Sequence, residues 1–195
     1  MRTFVLFVLS LVAIPTLAQE GMYAGVGYGS FDFDENDIDA VFGNRSDTVD
    51  TYKLFGGFEV NEHLSLEISY GATQDLRNTL TATDPIIGVF TTSVATEFTI
   101  TTVKAIGQLP LDWGILMAGL GYYDLDADIQ LRLDSSLGSF ESGGTVGDDG
   151  MMAMLGIEWR FGRFGTGYGI RLEYEKWDLD GADASTIGIG ASFRF

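Results

Sequence analysis

The residues most able to take part in chemistry are charged side chains that recur at alternate positions in otherwise apolar segments. Five are cationic and five are anionic: Lys53, Lys104, Arg160, Arg171 and Arg194, with Glu59, Glu67, Glu158, Glu173 and Glu175. Alternate residues of a β-strand lie on one face of a sheet, so these ten side chains share a polar face. Balanced opposite charges are typical of a closed interior, because an unpaired buried charge costs several kcal/mol. The pattern predicts a buried network of ion pairs.

Catalysis has little support among the remaining residue types. A serine nucleophile needs a neighbouring general base, and the single histidine, His63, lies in a short predicted turn. The absence of cysteine excludes a thiolate nucleophile, a thiolate metal site and a disulfide. We therefore expect no catalytic residues, and we expect that the protein is not an enzyme.

Two acidic segments have spacings that deserve comparison with metal sites. Residues 32–36 resemble the start of a calcium loop, but the sixth position is Asp37 instead of Gly and the twelfth is Gly43 instead of Glu. Residues 124–128 are also rich in carboxylates. Charge runs are usually solvated surfaces, so we expect no specific metal site and no cofactor. Loose recruitment of divalent ions by acidic loops is the alternative.

Eight segments alternate between apolar and polar side chains, and these must position the ten charges. They cover residues 22–33, 50–60, 64–70, 97–108, 113–125, 151–161, 166–177 and 185–195. Residues 72–96 are rich in Thr with a predicted turn at residues 84–85, and residues 135–147 form a predicted Gly/Ser-rich loop. Long and short connections alternate, which is typical of outer-membrane barrels. The last segment has the length of a tilted membrane-spanning strand.

Polarity exchanges between the two faces partway along three of these segments. In the first, the outward positions change from Met22 and Val26 to Asp32, while the inward positions change from glycines to Phe31 and Phe33. This exchange is expected where a strand leaves hydrocarbon for water, and it favours a membrane barrel over a soluble lipocalin-like barrel. Two aromatic girdles would mark the boundaries: Tyr28, Tyr52, Tyr70, Tyr122 and Tyr174 on the external side, and Trp113, Trp159, Phe161, Phe193 and Phe195 on the periplasmic side.

Residues 1–18 have the features of a secretory signal. Arg2 precedes an apolar run that is too short to span a membrane, and small residues follow it. We expect a cleaved signal peptide over residues 1–18 and one barrel domain over residues 19–195. The formal net charge of −17 argues against a nucleic acid partner, because phosphate contacts require Lys and Arg.

The sequences of the sixth and seventh segments resemble a known family. Gly-Ile-Glu-Trp at residues 156–159 and Gly-Ile-Arg-Leu-Glu-Tyr-Glu-Lys-Trp at residues 169–177 resemble strands of OmpA-like eight-stranded outer-membrane barrels. Residues 52–58 and the final strand ending in Phe are similar to the same family. The resemblance implies an internal salt-bridge network that contains Glu158 and Arg171, with Glu67 and Lys104. It covers the transmembrane barrel only, without the peptidoglycan-binding domain of some members.

These observations predict an all-β protein: an eight-stranded antiparallel up-and-down transmembrane β-barrel whose strands extend above the outer surface of the bacterial (Gram-negative) outer membrane. We expect a monomer with a non-catalytic structural or surface-interaction role and a lumen plugged by charges. The alternative is a narrow porin-like channel or a barrel that binds a small hydrophobic ligand in its apolar upper interior. The expected partners are outer-membrane lipid and lipopolysaccharide, the barrel-assembly machinery through the C-terminal strand, and a surface partner at external loops. The predicted edge for a partner strand is residues 79–101.

Overall fold

The computed structural model describes residues 21–34, 47–74, 76–84, 88–135, 138–163, 166–179 and 182–195. The predicted signal peptide and most of the calcium-like acidic segment lie outside these described residues. The strands are β1 (Met22–Asp34), β2 (Asp47–Asn61), β3 (Leu64–Thr73), β4 (Leu76–Asp84), β5 (Gly88–Leu111), β6 (Gly114–Ser135), β7 (Gly138–Arg163), β8 (Thr166–Leu179) and β9 (Ala182–Arg194).

The strands form a closed antiparallel ring. β1 pairs with β2 on one side and with β9 on the other, where Tyr23 is opposite Arg194. β3 pairs with the lower part of β5, and β4 continues β3 and pairs with the upper part of β5. Because β3 and β4 share one position, the ring has eight strands. The predicted eight-stranded antiparallel barrel is confirmed.

No helix among the described residues is long and apolar enough to cross a membrane.

The two ends of the barrel differ in the length of their connections. Connections of two residues join β2 to β3, β5 to β6 and β7 to β8 at one end, where Gly21 and Phe195 also lie. We call this the turn end, and the opposite end the loop end. The β4–β5 and β6–β7 hairpins project at the loop end, because β5, β6 and β7 are 24, 22 and 26 residues long.

The alternation of side chains separates a filled interior from an apolar exterior. In β6, Met117, Tyr123 and Leu125 point inward and are buried, whereas Leu116 and Leu120 point outward and are exposed. In β5, Phe98, Ile100 and Lys104 lie together on the inner face. Apolar residues on the outside and charged residues inside are the reverse of a soluble barrel, and they fit a lipid-facing surface.

One segment that was predicted as a loop is a strand. Residues 138–147 belong to β7, which pairs with β6 as far as Gly138 opposite Ser135, so the prediction of a Gly/Ser-rich loop at residues 135–147 was wrong there. In the Thr-rich segment, residues 76–84 and 88–96 form paired strands, and most of the connection with the predicted turn lies outside the described residues. Strand propensity depends strongly on cross-strand context, and continuous pairing with neighbouring long strands outweighs the poor propensity of Gly, Ser and Asp.

Candidate functional site

The ten charged residues point into the barrel and form two separate clusters. The cluster nearer the loop end, here called the upper cluster, contains Lys53, Lys104, Arg171, Glu67, Glu173 and Glu175. The cluster nearer the turn end, the lower cluster, contains Arg160, Arg194, Glu59 and Glu158. Each cluster has equal numbers of cations and anions. No ion pair between described residues joins one cluster to the other.

The upper cluster is the more deeply buried. Arg171 donates two hydrogen bonds to the Glu67 carboxylate, at 2.6 and 3.1 Å, and its Nε lies 2.5 Å from Glu173 Oε1. Lys104 Nζ lies 2.9 Å from Glu67 Oε1 and 2.6 Å from Glu175 Oε1. Lys53 pairs with both Glu173 and Glu175. A buried ion is tolerated only when its partners satisfy its hydrogen bonds, so each side chain here depends on the others.

The lower cluster is smaller and partly exposed. Arg194 Nη2 donates to Glu158 Oε2 at 2.6 Å, and Arg160 Nε donates to the same oxygen at 2.8 Å. Arg160 Nη2 also lies 2.7 Å from Glu59, whose side chain is 20% exposed. The Ser192 hydroxyl donates to the other oxygen of Glu158 at 3.1 Å. Its position at the turn end gives this cluster access to solvent that the upper cluster lacks.

The aromatic ring of Phe55 lies between the two clusters. In β2, Phe55 lies between Lys53 of the upper cluster, two residues before it, and Glu59 of the lower cluster, four residues after it. The guanidinium of Arg171 covers this ring. Gly25 and Gly190 leave the space that the ring occupies, and a side chain at Gly25 would overlap the ring directly. The interior at this level is therefore closed by side chains.

Glu158 and Arg171 occupy opposite positions in the β7–β8 register, yet they join different clusters. Glu158 turns toward Arg160 and Arg194, and Arg171 turns toward Glu67 and Glu173. The alternation of residues along a strand predicts which face a side chain occupies, but not the direction in which a long side chain extends. The division into two clusters was therefore not visible in the sequence.

An aromatic layer lies above the upper cluster. The ring of Phe31 lies 5.5 Å from that of Phe98 and 5.3 Å from that of Trp177, measured between centroids. Tyr123 is fully buried beside them, and its hydroxyl donates to the Asp178 carbonyl at 2.8 Å. Packing of this density fills the upper interior with the protein's own side chains.

The residues of the two predicted girdles lie on the outer surface. Most are exposed, Tyr70 is half-buried, and Tyr28 and Tyr52 have ring centroids 5.4 Å apart. Tyr168 was missed in the sequence although it shares the outward parity of Ile170, and its ring lies 5.3 Å from that of Phe193 at the turn end. Between the two sets of aromatic residues, the outer surface is apolar.

His63 lies at the turn between β2 and β3, away from both clusters. Its Nδ1 is 3.3 Å from the Gln108 carbonyl oxygen, and its Nε2 is 3.5 Å from Glu62. Within the described residues, no group of three or more His, Cys, Asp or Glu side chains has a geometry suited to a metal ion. Asp124, Asp126 and Asp128 of the second acidic segment point outward from β6 and are exposed.

The projecting hairpins form one sheet of four strands, β4 to β7, beyond the barrel. One face of this sheet carries the side chains that continue the inward-pointing positions of the barrel strands, among them Val94, Leu131 and Val146. The other face carries Glu97 and Asp128. β8 pairs with β7 only between Met152 and Arg163 of β7. In the described part of the chain, the outer edge of β7 from Gly138 to Met151 is therefore unpaired.

The prediction of residues 79–101 as the sheet edge was partly wrong. Residues 90–96 and 99–101 of β5 pair with a strand on both sides, and among the described residues of this segment the continuous edge is the β4 portion. The longer unpaired edge belongs to β7, in the segment where the sequence predicted a loop.

A closed antiparallel ring with an apolar outer surface and paired charges inside defines a transmembrane β-barrel. The family model for the outer membrane protein beta-barrel domain matches residues 4–195, and the chain belongs to that family. It is thus an outer-membrane barrel protein, as the sequence predicted.

Solved structures show the same fold at low sequence identity. Ail, the attachment invasion locus protein of Yersinia pestis, has a TM-score of 0.57 at 17% identity, covering 91% of this chain and 100% of that one. Ail in complex with the heparin analogue sucrose octasulfate has a TM-score of 0.56 at 19% identity, with the same coverage. Neisserial surface protein A has a TM-score of 0.53 at 11% identity, covering 90% and 97% of the two chains. No curated protein sequence matches the chain.

Proposed function

We propose that this protein is a monomeric, non-catalytic surface-interaction protein of the outer membrane, and that the projecting β4–β7 sheet is its contact surface. The observation that carries the proposal is the edge of β7 from Gly138 to Met151, which pairs with no strand among the described residues. An exposed strand edge presents free backbone N–H and C=O groups, to which an extended segment of a partner can add as a further strand.

The charge of the sheet favours a partner with basic and apolar residues. The β6–β7 hairpin carries seven acidic residues and one basic residue beyond Tyr123: Asp124, Asp126, Asp128, Asp134, Glu141, Asp148 and Asp149, with Arg132. Its inner face offers exposed apolar side chains such as Phe140 and Val146. Ail has been solved with a heparin analogue, which is a polyanion, and the acidic sheet of this chain would repel such a ligand.

The interior supports a plugged lumen as part of the same proposal. An eight-stranded barrel is only wide enough to be filled by its own side chains. The two ion clusters, the Phe55 ring and the aromatic layer around Trp177 fill successive levels of this barrel. A narrow channel would have to open all of these levels, and a hydrophobic ligand would have to displace the packed aromatic rings. Both alternatives are therefore less favoured.

The remaining features follow from the outer-membrane location. Residues 1–18 serve as a cleaved signal peptide, and residues 19–195 form one barrel domain in contact with lipid and lipopolysaccharide. The barrel-assembly machinery recognises the strand that ends at Phe195. The turn end then faces the periplasm, and the projecting sheet faces outward.

Shortening one hairpin tests the contact surface. Asp128 and Thr145 are cross-strand partners joined by a hydrogen bond of 2.5 Å, so replacing residues 129–144 with Asn-Gly preserves the register through a two-residue turn. The matched control replaces residues 80–92 with Asn-Gly between the partners Thr79 and Ser93. Cells that display each variant are tested against an array of extended peptides with alternating apolar and basic residues.

The wild type and the β4–β5 control should bind a subset of these peptides, and the β6–β7 variant should not. Equal binding by both shortened variants, or no binding by the wild type, would contradict the proposed surface. Folding of each variant is verified by its resistance to urea in detergent.

A further inference from the structure

A cavity lies inside the barrel between the upper cluster and the aromatic layer. Lys53, Glu173 and Glu175 line it on the side of the turn end, and Trp177 lines it on the side of the loop end. The space open to the centres of water molecules is about 30 Å³. One water requires roughly 10–15 Å³ by this measure, so the cavity has room for about two.

Glycines on the inner faces of three strands create this space. Gly27, Gly71 and Gly188 line the cavity from β1, β3 and β9, and each contributes no side chain to the interior. A Cβ atom added at Gly27 or Gly71 would have no neighbour closer than 3.5 Å. At Gly188 an added Cβ atom would lie 3.2 Å from a backbone oxygen, so alanine fits at Gly27 and Gly71, and the cavity is a consequence of residue choice at these two positions.

Three buried polar atoms of residues that line the cavity have no hydrogen-bond partner in the protein. One is Oε1 of Glu173, which faces Arg171 Nε at 2.5 Å in an ion pair. The other two have no partner of either kind: Nε1 of Trp177, whose residue is 3% exposed, and Oγ1 of Thr186, whose residue is 8% exposed. The hydroxyls of Ser69 and Thr102, which line the same cavity, bond to each other at 2.6 Å. Buried polar groups are nearly always satisfied by protein or by ordered water, and the two orphaned groups belong to the same small polar space.

We propose that this cavity is a binding site for two ordered water molecules. One accepts the hydrogen bond that the Trp177 indole N–H donates, and the other bonds to the Thr186 hydroxyl. The carboxylates of Glu173 and Glu175, in the wall of the same cavity, accept hydrogen bonds from these waters. The site hydrates the upper cluster from the loop side, while Phe55 closes its other side. This inference does not depend on the proposed surface role.

The indole N–H of Trp177 gives a direct test. In the full-length barrel in lipid nanodiscs, NMR cross-relaxation between this proton and water should show a water bound for longer than molecular tumbling. The signal is assigned by its loss in Trp177→Phe, and Trp113 and Trp159 on the outer surface serve as comparisons. A Trp177 signal without cross-relaxation to water would overturn the proposal.

The sign of a stability change gives an independent test. Thr186→Val replaces the hydroxyl with a methyl group of similar size, so loss of a water-mediated bond should lower the folding equilibrium constant about threefold to tenfold. In a dry cavity the same substitution removes an unsatisfied buried hydroxyl and raises stability. Thr102→Val is the positive control, because it deprives Ser69 of its partner with or without water. An unchanged or higher stability of Thr186→Val would overturn the proposal.

Discussion

The guanidinium carbon of Arg171 lies 3.5 Å from the centre of the Phe55 ring. The Phe55 ring separates the two ion clusters. On one side of the ring, Arg171 pairs with Glu67 and Glu173, and on the other side Glu158 pairs with Arg160 and Arg194. The barrel interior is therefore a series of closed layers, each electrically balanced.

Removal of the central cation should destabilise the barrel strongly. Arg171→Met leaves the carboxylates of Glu67 and Glu173 buried with fewer partners, and breaking a buried pair in this way costs about 3–5 kcal/mol. Adding Glu67→Gln to the same chain should restore part of the loss, because one uncompensated charge is then removed. Urea unfolding in lipid vesicles measures the unfolding free energy of the single and the double variant. If the unfolding free energy of Arg171→Met alone were within about 1 kcal/mol of the wild-type value, the closed upper cluster would be contradicted.

The two clusters should differ in their contribution to stability. Glu67→Gln removes a charge that is completely buried between Lys104 and Arg171, whereas Glu59→Gln removes one that is partly exposed at the turn end. We expect Glu59→Gln to cost no more than about 1 kcal/mol, as for a solvated pair. Glu67→Gln should cost several times more, and equal losses in the unfolding free energy would refute this gradient.

The space for Phe55 depends on Gly25. A Cβ atom at Gly25 would overlap the Phe55 ring and the Ala191 carbonyl oxygen, so Gly25→Ala should cost about 1–3 kcal/mol through overpacking. Gly27→Ala is the matched control, two residues along the same face, where the nearest atom is 3.5 Å away. The control should stay within about 1 kcal/mol of the wild type. Similar unfolding free energies for the two variants would show that Phe55 does not occupy this position.

The lipid-facing surface predicts a depth-dependent cost for charge. Leu120 and Leu155 point outward from the barrel portions of β6 and β7 and are 65% and 60% exposed. Leu120→Arg should destabilise the barrel by about 2–4 kcal/mol in a bilayer. Gln130→Arg, on the same strand and face but in the projecting sheet, should have little effect. If both substitutions are equally tolerated in vesicles, this band does not face hydrocarbon.

Much of the fold could be predicted because the barrel strands alternate cleanly. The strand that ends at Phe195, the hairpin around His63 and the inward direction of the ten charges all follow from a period of two. The β7 extension could not be predicted, since most of residues 138–147 are Gly, Ser or Glu and the segment is held by pairing with β6. The separation of Glu158 from Arg171 depends on the directions of long side chains, which no local pattern encodes.

The glycines of the wall show the same limit. Gly27, Gly71 and Gly188 appear in the sequence as small residues on the polar face, and nothing marks them as the lining of one cavity. Their proximity arises from the closure of β1 on β9 and the tilt of the strands. Sequence periodicity predicts the face of each residue, and only the closed ring brings residues from three strands to one level.

Single-channel conductance in planar bilayers tests the closed interior most directly. The full-length wild-type barrel, inserted in a folded form, should give no current steps above the lipid background, because Phe55 and the two ion clusters block the lumen at successive levels. Successful insertion is verified by resistance of the barrel to protease on both sides of the bilayer. Discrete current steps from the wild-type protein would contradict a plugged barrel and would favour a narrow channel instead.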